Sequence, residues 1–283
     1  HADGGWHLMG CMLSAASCNK WLCDDILKTT DYAAEQRDIT PEKLGRNHVY
    51  FLPYLMGERS PINDTNARGT FIGMTMDTRR EDLTQAVLEG VAFAIRDSFE
   101  VAKKLGISIS RSKICGGGAK SPLWKKILAN VLQVELDSVA SEQGPGLGGA
   151  MLAMVACGAF ANVTEACQRL VRVSETVRPD PELAARYEAR YQQFRNIYPA
   201  CKALFPSLLD TWRRNHLNIL SVLDPAFQNY GQVITGYDCK PLLETLEAAT
   251  PLPEAVEYVP LQKELMELPV ARELAAGVYG GMP

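Results

Sequence analysis

The sequence predicts an α/β layered fold, and three observations carry that prediction. Short β-rich runs alternate with segments whose apolar residues recur at helical spacing. One strand candidate runs through Gly116-Gly117-Gly118 into a helix with a clear start signal. A second strand candidate leads through Gly144-Pro145-Gly146 into a helix of small residues. With 283 residues, 47% of them hydrophobic and 22% charged, the chain has globular composition and enough length to bury a sizeable core.

In chain order, residues 6–9 read as the end of a strand. Ser14 to Leu27 then reads as an amphipathic helix, with Ala15, Cys18, Trp21, Leu22 and Ile26 at helical spacing. Val49-Tyr50-Phe51-Leu52 is a β-rich run that Pro53 stops, because proline has no N–H to give to a ladder. From Pro53 to Gly69 the composition turns to Gly, Pro, Asn and charge, which predicts a long ordered loop of the kind that carries function. Thr78-Arg79-Arg80-Glu81 has capping-box spacing and opens a helix with Leu83, Val87, Val91, Ala94, Ile95 and Phe99 on one face.

The next unit is a strand at Ser112 to Cys115, the glycine turn, Ser121 as N-cap and Pro122 at the first helical position. A strand from Val134 to Val139 follows, and the glycines after it are expected to let a helix through Ala156 pack closely on a neighbour. Residues 181–205 read as a polar, Tyr- and Arg-rich surface helix ended by Pro206. One domain is therefore expected over residues 1–206. In the tail, residues 207–283, acidic residues outnumber basic ones by about two to one, and Pro recurs at 251, 253, 260 and 269.

A net charge of −4 without clustered Lys and Arg argues against nucleic acid as a partner. No apolar run has the length of a membrane span, and the first residues lack the shape of a signal peptide, so a cytoplasmic protein is expected. The eight cysteines include no CxxC pair and no zinc-like Cys/His cluster. They read as reduced, buried small hydrophobes, and no metal site is expected from them.

Glycines between a strand and a capped helix expose backbone N–H groups beside the positive end of the helix dipole, so an anion or nucleotide can lie against the main chain. A structural tight turn is the alternative reading, since neither a Walker loop nor a dinucleotide fingerprint is present. Gly144 to Gly149 can serve an anion or close packing. Glu58 and Arg59 can bridge to each other or reach a phosphate. Cys115 reads as a buried strand residue rather than a nucleophile, and His7 and His48 as histidines satisfied by backbone partners.

Several blocks in order, "HLMGCMLSAASCNKW", "FLPYLMGERSPINDTNARGTFIGMT", "REDLTQAVLEGVAFAIRDSFE", "ICGGGAKSPLWKKILANVLQVEL" and "GPGLGGAMLA", resemble the carboxy-terminal domain of the FGGY carbohydrate kinases, nearest the xylulokinase branch. The stretch from Gly69 to Glu89 is similar to that family's second signature. The resemblance implies an actin-like ATPase fold of the ribonuclease H type, incomplete at its start, and transfer of phosphate from Mg-ATP to a ketopentose, D-xylulose. It places Gly117, Gly118 and Ala119 in an adenosine-binding turn, with Pro122 bordering the base. It puts the sugar pocket, the catalytic aspartate and most of the Mg²⁺ site outside the matched blocks, so no catalytic base is assigned and the isolated chain is expected to be inactive.

The tail from about Leu208 resembles the opening of an uncharacterised, cupin-like bacterial family, a short α/β module in the expected architecture. A non-enzymatic nucleotide-binding or interaction module, and a fused or truncated reading frame, are the alternatives to the kinase reading. Self-association through uncovered surface is a further expectation.

Overall fold

The computed structural model describes residue 4, residues 6–141 and residues 144–208. The tail beyond residue 208, with its expected α/β module and Cys239, lies outside the described residues. Residues 6–9 form no strand. Helix α1 (Ser17–Trp21) starts three residues later than expected, because Ala15 takes a positive φ of 35°, and it continues as a π-helical turn, Leu22–Ile26. The Leu27 N–H reaches back to the Leu22 carbonyl at 2.8 Å, and that wider turn rotates Ile26 off the buried face that Cys18 and Leu22 occupy. After α2 (Tyr32–Gln36), capped by Asp31, strands β1 (Tyr50–Leu52) and β2 (Thr70–Ile72) pair antiparallel with Tyr50 opposite Ile72.

Helix α3 (Arg80–Lys104) runs through the core of the described residues. Its N-cap is Arg79, whose N–H donates to the Asp82 carboxylate at 2.9 Å. The hydroxyl of Thr78, the expected cap, instead accepts the Thr75 N–H and meets His48 Nε2 at 3.0 Å. Every residue from Thr84 to Ala94 is buried, so this helix is surrounded by protein rather than lying on one apolar stripe. Phe51, Ile127, Tyr187 and Phe194 belong to the core around it.

The second sheet has the order β3-β4-β5, from β3 (Arg111–Ile114), β4 (Glu135–Val139) and β5 (Val173–Val177). The first pair is parallel, the second antiparallel. Arg111 grips Asp137 through two bonds of 2.6 and 2.9 Å, and Thr176 adds a third at 2.7 Å. Those donors hold the Asp137 carboxyl down at about 2. Helix α4 (Pro122–Leu132) packs on this sheet, its Lys125 reaching Ser138 and Glu175.

Helix α5 (Pro145–Ala156) packs on α6 (Val163–Leu170), but its glycines do not make the expected close contacts: a Cβ on Gly146, Gly148 or Gly149 would meet nothing within 4 Å. Helix α7 (Pro181–Cys201) is capped by Asp180, and it is no surface helix, since Leu183, Tyr187, Arg190, Tyr191 and Phe194 are all buried. The chain stays helical through a 3₁₀ turn and past Pro206, which therefore does not end it.

Candidate nucleotide turn

The parallel register sets Ile114 beside Ser138, so β3 and β4 end side by side, and each is followed by one of the two glycine-bearing segments. Ligands in α/β sheets bind outside the carboxyl ends of parallel strands. After β3 the chain passes Cys115, turns at Gly116 with φ 86°, and makes one 3₁₀ turn over Gly117–Lys120. The Ala119 N–H closes that turn on the Gly116 carbonyl at 3.1 Å. The first N–H groups of such a turn have no partner within it. The Ser121 hydroxyl accepts the Trp124 N–H at 3.0 Å, donates to Gln36 at 2.5 Å, and so fixes the start of α4 as the sequence predicts.

The four candidate residues divide by role. Added Cβ atoms on Gly116 and Gly117 would meet nothing within 4 Å, so this backbone is open to an approaching ligand. Gly118 is different, because a Cβ there would stand 2.0 Å from Cζ3 of Trp124. That indole is buried and donates to the Leu88 carbonyl at 3.2 Å, so Gly118 is glycine to let Trp124 tie α4 to α3. Ala119 is half-buried behind the turn, and Pro122 is exposed at the first turn of α4. Cys115, expected to be buried, is exposed beside this turn, and Cys157 is exposed too, whereas Cys18 and Cys23 are buried. Burial pushes the Cys18 thiol up to about 12.

The long loop holds a different bond from the one expected. Glu58 is 2% exposed, and its Oε1 accepts the backbone N–H groups of Leu13 at 3.1 Å and of Arg59 at 2.7 Å. Among the described residues no ion pair joins it to the Arg59 guanidinium. Glu58 instead staples the loop to residues 11–13, with the Ser60 N–H donating to the Cys11 carbonyl. Burial raises its carboxyl above the usual range. His48 is exposed and its partner is the Thr78 hydroxyl rather than backbone; His7 is exposed as well. Among the described residues no group of three or more His, Cys, Asp or Glu side chains is placed to hold a metal, and no helix is long and apolar enough to cross a membrane.

A layered α/β domain with open glycine turns at the carboxyl ends of parallel strands is the architecture of a nucleotide-handling protein class. The chain belongs to the FGGY family of carbohydrate kinases, whose carboxy-terminal domain matches residues 1–157. Its fold is the actin-like ATPase fold of that family. It is 37% identical over 198 residues to the xylulose kinase of Escherichia coli K12, a match covering 68% of this chain and 40% of that protein. The xylulose kinase of Staphylococcus epidermidis is 30% identical over 204 residues, covering 72% and 41%.

Two solved structures align well: a xyloylose kinase from Brucella ovis (TM-score 0.63, 36% identity, 69% of this chain and 40% of that one) and a ligand-bound xylulose kinase from Lactobacillus acidophilus (TM-score 0.62, 27% identity, 70% and 40%). The chain thus spans about 40% of the length of the relatives it matches. A domain of unknown function (DUF4867) matches residues 219–283, in agreement with the distinct character of the tail.

Proposed function

We propose that residues 1–206 form the nucleotide side of an ATP-dependent carbohydrate kinase whose acceptor is a ketopentose, D-xylulose by likeness to the named relatives. The observation that carries this reading is the open glycine turn that follows β3, whose carboxyl end lies beside that of parallel β4. In it, the open backbone at Gly117, with Ala119 and Pro122 beside it, takes the adenosine, and Gly118 keeps the turn in shape through Trp124. The residues present fit the nucleoside end of ATP. No described residue is assigned to Mg²⁺, which travels with the phosphates.

The domain boundary is placed near residue 206, just after buried Phe205, with the acidic tail as a separate segment. A cytoplasmic location fits a substrate pair of ATP and free sugar. Exposed Leu8, Met9, Met56 and Met74 favour self-association or covering by further protein.

Phosphoryl transfer depends on holding donor and acceptor in line, and a wall that binds ATP without a sugar opposite it cannot organise that attack. The chain alone is therefore expected to give no ATP-dependent phosphorylation of D-xylulose in a coupled assay, because the base alone is worth about 10²–10⁴-fold. Measurable turnover by the purified chain contradicts the proposal.

A further inference from the structure

We infer that Gln36, the last residue of α2, is a positioning residue for the nucleotide turn and acts through the hydroxyl of Ser121, 85 positions along the chain. The inference rests on the reading of that turn as a nucleotide wall, and it names a residue outside the wall on which the wall's shape depends.

Helix α2 has five residues, a length with no helical stability of its own, so its neighbours must hold it. The Tyr32 hydroxyl donates to Asp24 at 2.7 Å, and Glu35 takes the Arg80 guanidinium through two bonds of 2.6 and 2.7 Å. Arg80 also donates to the Leu27 carbonyl at 3.2 Å. These bonds brace α2 against the start of α3. The carboxamide of Gln36 then meets the start of α4, where its Oε1 accepts the Ser121 hydroxyl at 2.5 Å.

A serine hydroxyl has one proton to give and two lone pairs to offer. With the proton committed to Gln36, a lone pair stays aimed at the Trp124 N–H, 3.0 Å away. Without that acceptor the proton is free to turn to a backbone carbonyl or to water, and the cap loosens. The effect passes on to the turn. The Trp124 indole is 6% exposed and fills the space beside Gly118 so closely that a Cβ there would stand 2.0 Å from it. A close-packed contact of this kind transmits a shift rather than absorbing it. Gln36 thus sets the cap, the cap sets Trp124, and Trp124 sets the backbone against which the nucleoside lies.

Calorimetric titration of Mg-ATP into the full chain, Gln36→Met, Gln36→Glu, Ser121→Ala and the double variant of Gln36→Met with Ser121→Ala tests this. Gln, Met and Glu have similar helix propensities, so α2 itself is held constant. Met removes the acceptor, and affinity is expected to fall about three- to tenfold at full stoichiometry, the range that one hydrogen bond spans. Glu keeps an acceptor for the hydroxyl and should restore affinity to within about twofold of the parent. In the Ser121→Ala background Gln36→Met should add less than about twofold, because its route to the turn is already cut. Parent-like affinity in Gln36→Met, no rescue by Gln36→Glu, or full additivity of the two substitutions overturns the inference and leaves the nucleotide reading in place. A loss seen only as fewer binding-competent molecules, at parent affinity, overturns it too, since that is the mark of a purely structural role. No binding by the folded parent overturns both. If Ser121→Ala does not fold, the rescue by Gln36→Glu decides.

Discussion

Glu89→Ala will cost the domain about 3–5 kcal/mol, the loss expected when one partner of a buried ion pair is removed. Glu89 is 1% exposed, and its Oε2 accepts Arg190 at 2.8 Å. Its Oε1 accepts Gln85 at 2.7 Å and the Tyr187 hydroxyl at 3.1 Å. Arg190 also donates to the carbonyls of Asn47 and Val49, and lies 4.2 Å over the Tyr50 ring. One carboxylate therefore joins α3, α7 and the approach to β1. Without it, Arg190 loses its counter-charge and keeps only carbonyl acceptors, the Tyr187 phenol loses its carboxylate partner, and the Gln85 amide is left with the Lys43 carbonyl.

A typical domain has only about 5–15 kcal/mol in total, so the variant should be close to unfolded. Urea unfolding of Glu89→Ala, Arg190→Met and the pair with Glu89→Leu checks this, and the double variant should be more stable than Glu89→Ala because no unpaired charge remains. A loss below about 1 kcal/mol in Glu89→Ala would show that the pair does not hold these elements together.

Gly90→Val should be similarly damaging for a steric reason. A Cβ at Gly90 would lie 2.2 Å from the Phe51 carbonyl oxygen, and that atom belongs to β1 backbone, which cannot swing aside as a long side chain can. Overpacking of this kind costs about 1–3 kcal/mol or more, and Val adds two branches to the clash. Thermal unfolding should show a lower Tm for Gly90→Ala and a still lower one for Gly90→Val. An unchanged Tm in both would mean that α3 and β1 are not in the close contact described.

These two neighbours show what could and could not be read from the sequence. The second family signature ends at Glu89, and it falls on a buried ion pair rather than on the open turn. The pair spans 101 residues, and an arginine in a helix that looks polar gives no local sign of its burial. The unit from Arg111 to Leu132 was legible because its chemistry is local: glycines for the turn, Ser121 for the cap, Pro122 for the first helical position. The role of Gly118 was not, since what fills the space beside it is an indole six positions along, folded back onto the turn.

The π-turn after α1 has no composition signal, so helical spacing carried Ile26 onto the wrong face. The glycines of α5 suggested a close neighbour, but the described residues place none against them. Glu58 and Arg59 suggested an ion pair because they are adjacent, whereas the buried carboxylate found backbone N–H groups instead.

The most direct test of the nucleotide turn is calorimetric titration of Mg-ATP into the full chain and into Gly117→Asp and Gly118→Asp. Position 117 opens to solvent, so Asp there should leave the unfolding temperature unchanged while placing a carboxylate where the nucleotide is to lie. Position 118 faces Trp124, so Asp there should lower the unfolding temperature first and report on packing instead of binding. The account predicts binding by the parent chain and its loss in a fully folded Gly117→Asp. Undiminished binding in that variant, or none in the folded parent, would contradict the assignment of this turn as the nucleotide wall.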